Sequence, residues 1–146
     1  MPKMIFVNLA VADVEKSAAF YEAVGATKDA RFCQPGSAAM LAFSDSINLM
    51  VLSHARFGDF TSKTIVDSRS SCEVLICLTE DNREGVDQTL AKAVAAGARP
   101  DPTPMQDYGF MYGRSFEDPD GHIIELTWMD VEAAMAAMSG REPVSA

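Results

Sequence analysis

The chain has 146 residues, 48% of them hydrophobic, and sets 12 Lys and Arg against 21 Asp and Glu for a net charge of −9. That length suits one ordinary domain, or two small halves sharing a core, and the apolar fraction excludes a disordered chain. The acidic balance argues against nucleic acid and anionic membrane as partners, and no apolar run approaches the roughly 20 residues that span a bilayer.

The N-terminal stretch MPKMIFVNLAV has one Lys and runs on into a charged segment. It lacks the layout of a signal peptide. Residues 4 to 12 read as a strand. Asp13 is placed to cap a helix from Val14 to Val24, where Val14, Ala18, Tyr21 and Val24 recur at helical spacing and Gly25 follows as a stop. A short strand near 27 to 33 is weakly signalled. AAMLAFS and INLMVLS then read as strands joined around Ser44-Asp45-Ser46. The segment after Ala55, up to Ser71, is a polar connector too long for a tight turn.

Residues 73 to 79, EVLICLT, open a second strand. Asp81 with Glu84 three places later fits a capping box. The helix that follows carries Val86, Leu90 and Val94 on one face and ends at Gly97. FMYGRSF and HIIELTW are strands flanking Asp118-Pro119-Asp120-Gly121, in which Pro suits the second turn position and Gly the place needing positive φ. A last helix, Val131 to Met138, starts after Asp130. The tail from Arg141 is expected to be loose.

The order strand, capped helix, short strands thus occurs twice. It predicts an α+β protein of two tandem βαβββ modules, 1–55 and 72–130, with connector 56–71 and a C-terminal helix 131–138, all within one domain, 1–146. Cys33, Cys72 and Cys77 are odd in number and form no CxxC. They read as reduced, buried thiols of a cytoplasmic protein rather than as a disulfide or zinc site. His54 and His122 read as surface or turn residues rather than ligands.

A βαβββ repeat whose second copy ends in FEDPDGHIIEL, and whose first opens with VADVEKSAAFYEAVG, resembles the vicinal oxygen chelate superfamily. That group includes glyoxalases, extradiol dioxygenases, fosfomycin resistance enzymes and bleomycin resistance proteins. The resemblance implies curved mixed sheets around a cavity, helices outside, and in metal-binding members one ligand on the first and one on the last strand of each module. Glu125 falls on such a last-strand place. The other places fall, by counting, on Phe6, on Glu73, and on Leu49 or Met50. Phe and Leu offer no donor, and Met is too soft for the Mg²⁺, Mn²⁺, Ni²⁺ or Zn²⁺ chemistry the family implies. The expectation is therefore no tightly bound cofactor, with a divalent metal open only if waters or a chelating substrate complete the set.

Glu125 lies among Ile, Leu and Trp neighbours and is the candidate catalytic residue; pairing with Arg114 is the structural alternative. Strand alternation puts Phe110, Tyr112, Arg114 and Phe116 on one face, which makes Tyr112 and Arg114 candidate ligand contacts. Asn8, Glu73 and Trp128 complete the candidate binding set, with Trp128 read either as a cavity wall or as an anchor for the last helix. Met135 and Met138 are read as lying over the pocket or across a partner subunit. Two functions of different class stay open: a glyoxalase-like lyase or dioxygenase relative with a reduced metal site, and a metal-independent binding protein that sequesters a small molecule. A homodimer is expected, because open sheet edges invite pairing.

Overall fold

The computed structural model describes residues 2–139; the tail from Arg141 lies outside them. The first module runs β1 (Ile5–Val11), α1 (Val14–Val24), β2 (Thr27–Lys28), β3 (Ala38–Ala42) and β4 (Ile47–Ser53). A five-residue helix, α2 (His54–Gly58), opens the connector. The second module runs β5 (Ile76–Thr79), α3 (Arg83–Ala95), β6 (Arg99–Pro100), β7 (Gln106–Asp107), β8 (Met111–Glu117) and β9 (Ile123–Met129), and α4 (Val131–Met138) follows.

The strands form two open sheets. One has the order β1-β4-β3-β2 and the other β5-β9-β8-β6, with β7 also paired to β8. In each, the first strand of the module runs parallel to the last, β1 beside β4 and β5 beside β9, and both first strands are edges.

Local signals set the helices as expected, with one change. Asp13 caps α1 by accepting from the Lys16 amide, and Gly25 ends it at φ 125°, a conformation that costs glycine least. Asp130 caps α4 by accepting from the Ala133 amide. The cap of α3 is Asn82, which accepts from the Gly85 amide, and not Asp81. An amide oxygen serves an N-cap as well as a carboxylate, so the two adjacent residues compete on equal terms. The connector is less plain than its composition suggests, since α2 occupies its start. His54 begins that helix.

One contiguous core joins the modules. Leu9 and Val11 of β1 and Leu49 and Val51 of β4 share it with Phe116, Ile124 and Leu126 of the second sheet and with the inner faces of α1 and α3. The helices touch each other, and Phe20 of α1 lies edge-on to Phe116 of β8 at 5.7 Å. Tyr21 and Phe116 are both fully buried. Burial of a side chain of this size contributes about 2–3 kcal/mol. Because a strand sends alternate side chains to opposite faces, the other face of each sheet points away from this core.

The turn between β8 and β9 locks the modules together. Asp118 accepts from the Tyr21 hydroxyl at 2.6 Å and from the amides of Asp120 and His122. The Ala12 amide donates to Asp120 at 2.8 Å, and His122 Nε2 donates to the Ala10 carbonyl at 2.8 Å. His122, read from the sequence as a surface or turn residue, is thus a half-buried turn residue that bridges the modules. Burial pushes the Tyr21 hydroxyl well above its ordinary value, and the Asp118 charge adds to it; burial likewise raises Asp118.

Candidate functional site

The outward faces of the two sheets correspond position by position. On the first, Asn8 of β1 is the register partner of Met50 of β4. On the second, Cys77 of β5 is the partner of Glu125 of β9. Asn8 and Cys77 stand the same distance before their helix caps, Asp13 and Asn82. Met50 and Glu125 stand the same distance beyond turns closed alike, Phe43 amide to Ile47 carbonyl at 2.8 Å and Asp118 amide to His122 carbonyl at 2.9 Å. The equivalent places are therefore Asn8, Met50, Cys77 and Glu125. Counting along the sequence put two of them on Phe6 and Glu73. The correction comes from β5, which starts only at Ile76, so Glu73 precedes the strand and is exposed.

Glu125 borders a cavity of about 220 Å³ with Cys77, Ser115, Thr127, Met111 and Met129. Cys77 Sγ lies 3.1 Å from Thr127 Oγ1. The Glu125 carboxylate makes no hydrogen bond or ion pair with any described residue, and it does not meet Arg114. Asn8 and Met50 border a second cavity of about 350 Å³, with Arg31, Phe32, Arg56 and Phe60 around it. Cys77 is exposed, as is Cys72, and Cys33 is half-buried, so the three thiols are free but none is fully buried as the sequence suggested.

Tyr112, Arg114 and Trp128 do share one face, and it is the face toward α3. Tyr112 is buried and donates its hydroxyl to Asp87 at 2.6 Å. Arg114 borders the Glu125 cavity, but its guanidinium holds Asp101 through two bonds of 2.9 and 2.6 Å and reaches Asp87. That pairing pulls Asp101 below the usual carboxylate range and raises Arg114. Trp128 packs at the edge of the core, with Arg83 over its ring at 5.5 Å. Arg83 also covers Tyr112 at 4.9 Å and grips Asp107 through bonds of 3.0 and 2.7 Å. The hydrogen bond from Arg83 holds Asp107 down at about 2. The segment around Asp107 supplies Pro104 and Gln106 to the rim of the Glu125 cavity, so Arg83 fixes one wall of it. Sequence reasoning missed Cys77 and Arg83. The equal spacing of Asn8 and Cys77 before their caps would have found the first.

The donor set bears on the metal the fold implies. Asn8 is a neutral amide, Met50 a soft thioether, Cys77 a soft thiol, and Glu125 the one hard anionic donor of the four. Among the described residues no three of His, Cys, Asp and Glu gather where a metal ion could be held. These residues do not fit a hard divalent ion, which needs several oxygen or imidazole donors.

Comparison with known proteins agrees with this architecture. The family model described as Glyoxalase/Bleomycin resistance protein/Dioxygenase superfamily matches residues 3–126. A hypothetical protein from S. aureus is 27% identical with a TM-score of 0.71, over 88% of this chain and 94% of that one. A glyoxalase/bleomycin resistance protein/dioxygenase family enzyme from Burkholderia phytofirmans PsJN is 22% identical with a TM-score of 0.71, over 88% and 99%. TnmS3, an antibiotic binding protein from Streptomyces sp. CB03234, is 23% identical with a TM-score of 0.61, over 89% and 98%. No curated protein matches the chain.

Proposed function

The chain belongs to the glyoxalase/bleomycin resistance protein/dioxygenase superfamily, and from that premise we propose that it binds a small molecule against its open sheet faces without a resident hard metal ion. The donor set carries this reading: of the four equivalent places, Glu125 alone offers a hard anionic ligand. A sequestering protein needs shape, apolar walls and a few placed polar groups, and these faces supply them. The similarity to an antibiotic binding protein lies in the fold and accords with that use.

Each face is half of an enclosure. Both point away from the shared core; beside them the edge strand β1 exposes Ile5 and Phe6, and Val74 and Leu75 are exposed just ahead of β5. A homodimer that sets the Asn8 and Met50 face of one chain against the Cys77 and Glu125 face of its partner closes both. Exposed apolar edges are a ready template for such pairing. The unpartnered Glu125 carboxylate favours a second reading, in which it takes a proton from the bound molecule in a lyase-type reaction.

Light scattering and elemental analysis on the same untagged preparation test the proposal. The expected result is a dimer with far less than one metal per chain after dialysis against chelator. About one metal per chain would sink the metal-independent reading, and a monomer at high micromolar concentration would sink the composite cavity. Turnover that disappears in Glu125→Gln while ligand binding persists would select the proton-transfer reading.

A further inference from the structure

The modules share one plan of strands and helix, and the connector stands outside it. It encloses a cavity of about 330 Å³ against β1 and the start of β9. The size is at the lower end of the range for small-molecule sites, about 300–1,000 Å³. Phe57, Ile65, Val66 and Val74 of the connector side and Ala10 and Ile123 of the modules give it apolar walls. It shares no bordering residue with the Glu125 cavity and one, Asn8, with the cavity beside Met50.

The connector wall is pinned in place. Ser68 donates its hydroxyl to the Asp120 carbonyl at 2.7 Å, and Arg69 donates to the Pro119 carbonyl at 3.1 Å. The chains approach so closely that a Cβ on Gly121 would lie 2.6 Å from the Ser68 carbonyl oxygen. At the other end, α2 packs on β1 and β4. The far side of the cavity is fixed by the bond from His122 to Ala10.

Two opposite charges border this apolar space. Lys63 and Glu73 are both exposed, and the side chain of neither is bonded to another described residue. We propose that this cavity is a separate binding site for a small zwitterion with an apolar body, of the size and kind of a hydrophobic amino acid. The apolar body fills the space under the connector. The ligand's ammonium meets Glu73 and its carboxylate meets Lys63. The inference goes beyond the function proposed above and does not rest on it.

Calorimetric titration with L-phenylalanine tests it, with phenethylamine and 3-phenylpropanoate as analogues lacking one charge each. L-phenylalanine should bind saturably, and each analogue should bind roughly two- to fivefold more weakly, as fits exposed charge pairs. Lys63→Glu and Glu73→Lys should each weaken binding, and the double exchange should restore it with the ligand reversed. Ile65→Trp should fill the space and remove binding, with its melting curve showing that the fold is kept. The proposal is overturned by no saturable binding up to roughly 10 mM, by equal affinity for the three probes, or by unchanged affinity in Ile65→Trp. Loss of L-phenylalanine binding in Glu125→Gln would merge the two cavities and overturn it as well.

Discussion

The first sheet presents Asn8 beside Met50 where the second presents Cys77 beside Glu125, at matching places of the same βαβββ plan. Around the first pair stand Arg31, Arg56 and the rings of Phe32 and Phe60; around the second stand Ser115, Thr127 and two Met. One face is cationic and aromatic at its rim, and the other is a small acid-and-thiol pocket. The turns behind them diverge too. The first is closed by the Phe43 backbone and the Ser44 hydroxyl, both of its own module, while Asp118 closes the second and also holds Tyr21 of the other module. The backbone plan is shared, so the difference between the faces lies in side chains. The second module additionally carries the bonds that hold the molecule together.

The largest test of that division is Asp118→Ala. It strands the Tyr21 hydroxyl and two turn amides inside the fold. A stability loss of about 3 kcal/mol is expected in urea unfolding. A loss under about 1 kcal/mol would mean that the turn does not bind the modules.

Next comes Gly121→Ala. Its φ of 92° and the close Ser68 carbonyl predict a loss of about 1–3 kcal/mol. Gly36→Ala in the first module also meets a positive φ but open space, so it should cost about 1 kcal/mol. Equal costs in thermal melts would show that the connector does not press on the turn.

Glu125→Gln should move stability by no more than about 0.5 kcal/mol, since no described partner is lost. Ligand affinity should fall about tenfold if a charged or hydrogen-bonding group of the ligand meets this carboxylate. A clear loss of stability with unchanged affinity would return Glu125 to a structural role.

The smallest effect is a local acid transition. Asp107 falls from 3.8 to about 2 in the folded chain because Arg83 bonds it. A lowered carboxylate adds stability above its unfolded value and loses it as pH falls toward the folded one. The wall over the Glu125 cavity should therefore loosen between pH 4 and pH 2. Trp128, beneath Arg83 and the one Trp of the chain, should report this in fluorescence, and Arg83→Ala should remove the step.

Much of the architecture was legible because capping and stop signals are local. Asp13 with Gly25, and Asp130 with the Ala-rich run after it, bound their helices where the sequence put them. The site was harder to read for a physical reason. Alternation says that Tyr112, Arg114 and Phe116 share a face, but not which face is inward; a one-residue change of register exchanges the two. Tyr112 and Arg114 read as ligand contacts, whereas both lie on the face toward α3, where Tyr112 joins the core. Counting also failed at Glu73 because an apolar run was taken for strand, although Val74 and Leu75 are exposed before β5 begins. Register through hydrogen bonds, invisible in sequence, is what identifies Cys77.

The bond from Tyr21 to Asp118 spans 97 positions of chain, and this has a bearing on how the protein is born. A ribosome adding about 5–20 residues per second needs several seconds to pass from one partner to the other. During that interval the first module has emerged with Phe20 uncovered, the Tyr21 hydroxyl unmatched and the Ala12 amide without its acceptor. It waits for a turn made 97 positions later. The nascent first module thus presents apolar surface for chaperones to hold, and slowing synthesis after it prolongs that exposure.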